Sequence, residues 1–109
     1  MKLIIAFVHS DDAGALLTKL QRSRIPVTAL ESRGGFLRRG NSTILTAVEE
    51  DQAERVLNVL RETCKPRTEQ VDTAFASGSL ESLGLPGTTE VPVGGATVLI
   101  LDVAQVVKI

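Results

Sequence analysis

Tryptophan and tyrosine are absent from the 109 residues, and the three aromatic side chains are Phe7, Phe36 and Phe75. A groove that grips single-stranded nucleic acid by stacking successive bases needs more aromatic faces than these. Positive charge is not in excess either. Twelve basic against thirteen acidic residues give a formal net charge of -1, which leaves no global field to hold a nucleic acid polymer by counterion release. Cysteine occurs once, at Cys64, and histidine once, at His9. An internal disulfide is therefore excluded, as is a four-ligand zinc site of Cys and His alone, so no metal is expected and the cytoplasm is the natural compartment. Long apolar runs are missing as well. Residues 3–8 fall far short of the roughly 18 needed to span a bilayer, and no small-residue cleavage site follows them, so neither a membrane helix nor a signal peptide is expected.

What the chain does contain, 43% hydrophobic residues over this length, suits one domain spanning 1–109 with one modest core. Residues 2–8 are almost wholly aliphatic and end at His9-Ser10-Asp11-Asp12, a cluster suited to opening a helix. Ala13, Leu16, Leu17 and Leu20 then recur at helical spacing, and Pro26 ends that option, placing the helix end near Arg24. A shift of 40 residues repeats the pattern: a strand over 43–48, acidic Glu49-Glu50-Asp51, an apolar face of Ala53, Val56, Leu57 and Leu60, and then Pro66. Extended stretches at 27–32 and 91–103 complete a β-α-β-β-α-β order. This predicts an α+β, ferredoxin-like fold: an antiparallel sheet with two helices on one face and the other face bare.

The apolar strands bear on assembly. Leu3-Ile4-Ile5-Ala6-Phe7-Val8 and Val98-Leu99-Ile100-Leu101 are continuous rather than alternating, which demands cover on both faces. Two helices cover one. Pressing the open faces of several copies together in a closed ring supplies the rest, so a homo-oligomer is expected. The alternative is that the C-terminal tail or a long loop folds over the bare face.

Chemistry concentrates in two glycine-rich places. The hairpin loop 33–41, Arg-Gly-Gly-Phe-Leu-Arg-Arg-Gly-Asn, sets Phe36 and Leu37 among three glycines and three arginines. Its parts suit a nucleotide: a stacking surface, anion donors, and Asn41 to read a base edge. A twisted hairpin whose Phe-Leu pair packs into a neighbouring subunit is the competing reading. Residues 35–42 nearly spell a phosphate loop, but Asn41 replaces its lysine and a strand follows instead of a helix, which excludes an NTPase. The second place, Gly94-Gly95, permits close backbone approach or a bulge. Between them, 67–90 forms a long loop without periodicity, of the kind used as a lid or binding segment. His9 reads as a strand-end residue and Cys64 as a small buried thiol. No spacing links a nucleophile, a base and an orienting group.

MKLIIAFV, GGFLRRGNST, VEEDQAERVLNVLRETCK and VPVGGATVLILDV together resemble, in order and spacing, the blocks of the PII-like cyclic di-AMP receptor family of bacteria (the PstA/DarA type). The resemblance covers most of the chain. It implies a non-enzymatic homotrimer with cyclic di-AMP as ligand in each cleft between subunits, no cofactor, and signalling through loop ordering to a downstream protein it does not identify. By position, Phe36 and Leu37 would pack on an adenine and Asn41 would hydrogen-bond its edge. Gly35 and Thr28 would line the pocket, with Thr28 donating to a phosphate, and Gly94 and Gly95 would lie near the cleft. Pro26 stands where family members carry a phosphate-binding arginine, for which Arg24 offers a substitute, and Ala47 stands where they tend to have glycine. A sensor of ATP or ADP on the same fold is one alternative. A small phosphohydrolase is another, disfavoured because Asp11 and Asp12 would repel phosphate.

Overall fold

The computed structural model describes residues 1–31, 41–72 and 88–109. Its elements are β1 (Lys2–His9), α1 (Ser10–Arg22), β2 (Thr28–Glu31), β3 (Asn41–Val48), α2 (Glu50–Thr63), β4 (Arg67–Asp72), β5 (Thr88–Val93) and β6 (Ala96–Asp102). Strands β2, β3, β1 and β6 lie in that order in an antiparallel sheet, and β4 pairs with β5 as a separate two-stranded ribbon. The four-stranded sheet and its two helices make the α+β, ferredoxin-like arrangement. Among the described residues, no helix is long and apolar enough to cross a membrane.

Local chemistry sets the helix bounds. Helix α1 opens on the His9 side chain, whose Nδ1 accepts the Asp11 N–H at 3.1 Å, so the strand's last residue is also the helix cap. At its other end Arg24 takes a left-handed φ of 59°, and its N–H donates to the Gln21 carbonyl while the Ile25 N–H donates to that of Leu20. This is a Schellman closure, with buried Ile25 and Leu20 as its apolar contact. The helix thus stops at Arg22, two residues short of the expected end. Leu16, Leu20, Val56, Leu60 and Cys64 from the helical side meet Ile4, Ala6, Val8, Ile44 and Val48 of the sheet in one core.

Along β1, buried Ile4, Ala6 and Val8 alternate with half-buried Leu3, Ile5 and Phe7. Register places Leu45 and Leu99 beside Ile5, and Ala47 and Leu101 beside Leu3, on the face away from the helices. Leu99 and Leu101 are 47% and 45% exposed there. The C-terminal tail does not cover them: Val106, Val107 and Ile109 are themselves exposed.

Two expectations need correction. The segment 67–90 is not all loop, because 67–72 and 88–90 belong to β4 and β5, whose backbones pair from Arg67↔Val93 to Asp72↔Thr88. The extended stretch 91–103 is not one strand either. It breaks at Gly94 and Gly95, with φ of 80° and 70°, which turn the chain from the ribbon into β6. In addition, Asn41 opens β3 instead of closing the hairpin loop.

Candidate functional site

Three residues singled out in the sequence come together in space. Asn41, Gly94 and Gly95 line a cleft of about 430 Å³ with Phe7, His9, Ala96 and Thr97. Strand pairing assembles it. His9 lies opposite Asn41, and Phe7 lies opposite Thr43 on one side and Thr97 on the other, so the end of β1, the start of β3 and the start of β6 share one edge of the sheet. The glycine corner supplies the remaining wall. A Cβ on Gly94 would stand 2.4 Å from the Lys65 carbonyl oxygen, so only glycine lets the chain turn this close to the end of α2.

The ribbon is tied beside the cleft. Arg67 on β4 donates to the Asp12 carboxylate at 3.2 Å and to the Lys65 carbonyl at 3.3 Å. The bond to Asp12 is the first cause holding the guanidinium above its ordinary pKa. At the helix starts, Asp11 and Asp12 occupy the first turn of α1. Because β1 ends at His9 and α1 begins at Ser10, no loop intervenes there to cradle an anion.

Arg24 and Ala47 lie elsewhere. They line a second hollow of about 230 Å³ with Met1, Ile25, Pro26, Val48, Glu49 and Gln52, at the opposite end of β3 from Asn41. Six residue steps along the strand separate Asn41 from Ala47, about 20 Å at the usual rise. Both Arg24 and Ala47 are exposed. Thr28 pairs with Leu45 on the sheet's edge and lines neither hollow. Among the described residues, the chain by itself therefore does not unite Asn41 with Arg24 and Ala47, because β3 holds its two ends apart. Gly35, Phe36 and Leu37 lie outside the described residues.

Sequence reasoning does not single out Phe7, Ala96 and Thr97 as cleft residues, and it reads His9 only as a strand end. The signal was present: with a period of two, Phe7 and His9 share one face of β1, and the antiparallel register brings Asn41 beside His9. A third hollow, about 350 Å³, runs between α2 and β6 with Leu57, Leu60, Arg61, Cys64 and Pro66 among its walls. Burial pushes the Cys64 thiol up to about 11 from 9.0.

Comparison with known proteins fixes the family. The family model described as Cyclic-di-AMP receptor matches residues 1–109, and the chain belongs to that family. It is a family of ligand-binding receptors and not of enzymes. Among solved structures, a functionally unknown protein from Pediococcus pentosaceus ATCC 25745 is 31% identical, with a TM-score of 0.73 over 99% of this chain and 96% of that one.

Proposed function

We propose that this member of the cyclic-di-AMP receptor family is a bacterial cytoplasmic signalling protein that binds cyclic di-AMP in clefts between the subunits of a homotrimer. The observation that carries the reading is the convergence of Asn41, Gly94 and Gly95 on one cleft of about 430 Å³. An aromatic face, an amide and exposed backbone suit a purine: Phe7 joins Phe36 and Leu37 in packing on adenine, and Asn41 hydrogen-bonds its edge. Gly35 and the Gly94-Gly95 corner let the ligand approach the main chain.

The separation of the two hollows supports a shared site. Asn41 and Arg24 are too far apart within one chain to hold one base and its phosphate together, so a neighbouring copy brings its own β2 end to the cleft. Thr28 and Arg24 then act as phosphate donors, with Arg24 taking over where Pro26 supplies neither charge nor N–H. The apolar face of Leu3, Ile5, Leu99 and Leu101 is the surface through which the copies join. Signalling follows from population shift. The ligand orders the segment between β4 and β5 by binding its ordered state more tightly, and a downstream protein reads the result.

Titration calorimetry with cyclic di-AMP, ATP and ADP tests the reading. Saturable heat with cyclic di-AMP, one ligand per subunit, is expected. Silence with cyclic di-AMP and heat with ATP or ADP would replace it with a general adenine-nucleotide sensor.

A further inference from the structure

Near the cleft, three elements bring together side chains that the nucleotide reading does not use as a set. His9 ends β1, Asp11 lies in the first turn of α1, and Glu69 stands on β4; their ligand atoms all lie within 4.8 Å of one another. The His9 Nδ1 is 3.6 Å from the Asp11 carboxylate. Two carboxylates at this separation repel unless a cation lies between them. Among the described residues, the direct ion pairs of Lys2, Arg61 and Arg67 go to Asp102, Glu54 and Asp12; the Arg67 charge also acts on Glu69 and Asp11, but only from beyond ion-pair distance. Arg67, the nearest cation on the ribbon, is already engaged by Asp12 and the Lys65 carbonyl.

We propose that His9, Asp11 and Glu69 form a divalent metal site that clamps the β4–β5 ribbon to the four-stranded sheet. One imidazole nitrogen and two carboxylates carry a charge of -2 that one divalent ion neutralises, and this donor set suits zinc, manganese or cobalt better than magnesium or calcium, which take oxygen ligands alone. Three protein ligands leave further coordination positions for water or a ligand oxygen. Nδ1 of His9 accepts the Asp11 N–H that caps α1, so an ion taking that nitrogen replaces one hydrogen bond, whereas Nε2 binds an ion without disturbing the cap.

The topology gives the site a purpose. The ribbon joins the rest of the molecule through residues 64–66, the Gly94-Gly95 corner and the Arg67–Asp12 bond. A metal held by His9 and Asp11 on one side and Glu69 on the other adds a second clamp next to the cleft wall. The site shares His9 with the cleft wall, but its test requires only the metal and the protein.

The test is calorimetric titration of zinc and, separately, manganese into the full-length protein without nucleotide. One equivalent per chain with a dissociation constant at or below about 10 µM is expected. Glu69→Gln, which keeps the side-chain shape and removes the charge, should weaken binding at least tenfold while leaving the metal-free unfolding temperature unchanged. If that variant is unstable, Asp11→Asn serves in its place. Bound metal should also slow hydrogen exchange across β4 and β5. Absence of saturable binding by either metal, or equal binding by wild type and the folded variant, would overturn the site, whatever the outcome of a cyclic di-AMP titration.

Discussion

Gly94 lies so close to Lys65 that a Cβ on the glycine would meet the lysine's carbonyl oxygen at 2.4 Å. The neighbouring Gly95 also has a positive φ, but its added Cβ would stand 3.6 Å from the Pro66 ring, an ordinary contact. The two substitutions separate steric conflict from backbone strain. Gly95→Ala should cost about 1–2 kcal/mol, the strain of an L-residue in left-handed backbone. Gly94→Ala should cost clearly more and weaken nucleotide binding, because the corner has to move. Urea unfolding at one fixed protein concentration, with calorimetry of each variant, checks both.

In the proposed trimer the copies join through the open face of the sheet. Ile5 has Leu99 beside it on one side and Leu45 on the other, on the face opposite buried Ile4, Ala6 and Val8. Leu99→Asp should give a folded monomer in place of the proposed trimer at micromolar concentration. Arg61→Ala, on a side chain exposed at 63% on α2, should leave the trimer intact. Sedimentation velocity distinguishes the species, and a wild-type protein that sediments as a monomer would remove the shared-cleft mechanism with it.

Much of this fold is legible in the sequence because it rests on periodicity. Ala13, Leu16 and Leu20 recur at helical spacing and are buried, as are Val56 and Leu60 forty residues on. Cys64, which extends the second apolar face, is buried too. The ribbon was not legible. RTEQVD lacks an apolar face, TTEVPV offers only Val91 and Val93 on one side, and their pairing spans a long intervening segment, so no local pattern marks them as partners. The Gly94-Gly95 break was the available clue, since two adjacent glycines inside one long strand make a poor ladder but a good corner. Of the site, Asn41 and the glycine pair were visible from residue type, whereas Phe7 and His9 emerge only through the register of β1 with β3 and β6.

Alkaline stability should depend on Cys64. Burial first, then the Asp12 charge, raises its pKa from 9.0 to about 11 in the folded chain. Below pH 9 the thiol is neutral in both states and contributes no pH dependence. Between about pH 9 and 11 the unfolded chain releases a proton that the folded one retains, so stability falls as pH rises through that window. Cys64→Ala should show a shallower decline over the same range in urea midpoints. The wild-type thiol should also react with an alkylating reagent far more slowly at pH 8 when folded than when unfolded.

Arg24 holds a backbone conformation that favours glycine. It occupies the left-handed position of the α1 closure, at φ 59°, where its Cβ costs about 1 kcal/mol and helices that close this way usually place glycine. Strain of this kind at a residue proposed to bind phosphate points to what the side chain does. Arg24→Gly should therefore raise the unfolding temperature by a few degrees while weakening cyclic di-AMP binding about tenfold or more, through loss of a charge-assisted phosphate contact. A variant both more stable and weaker in binding would show the side chain acting on the ligand from a position that the fold alone would fill with glycine. If Arg24→Gly bound cyclic di-AMP as wild type does, the arginine would have no part in phosphate recognition, and Thr28 and the loop arginines would have to carry it.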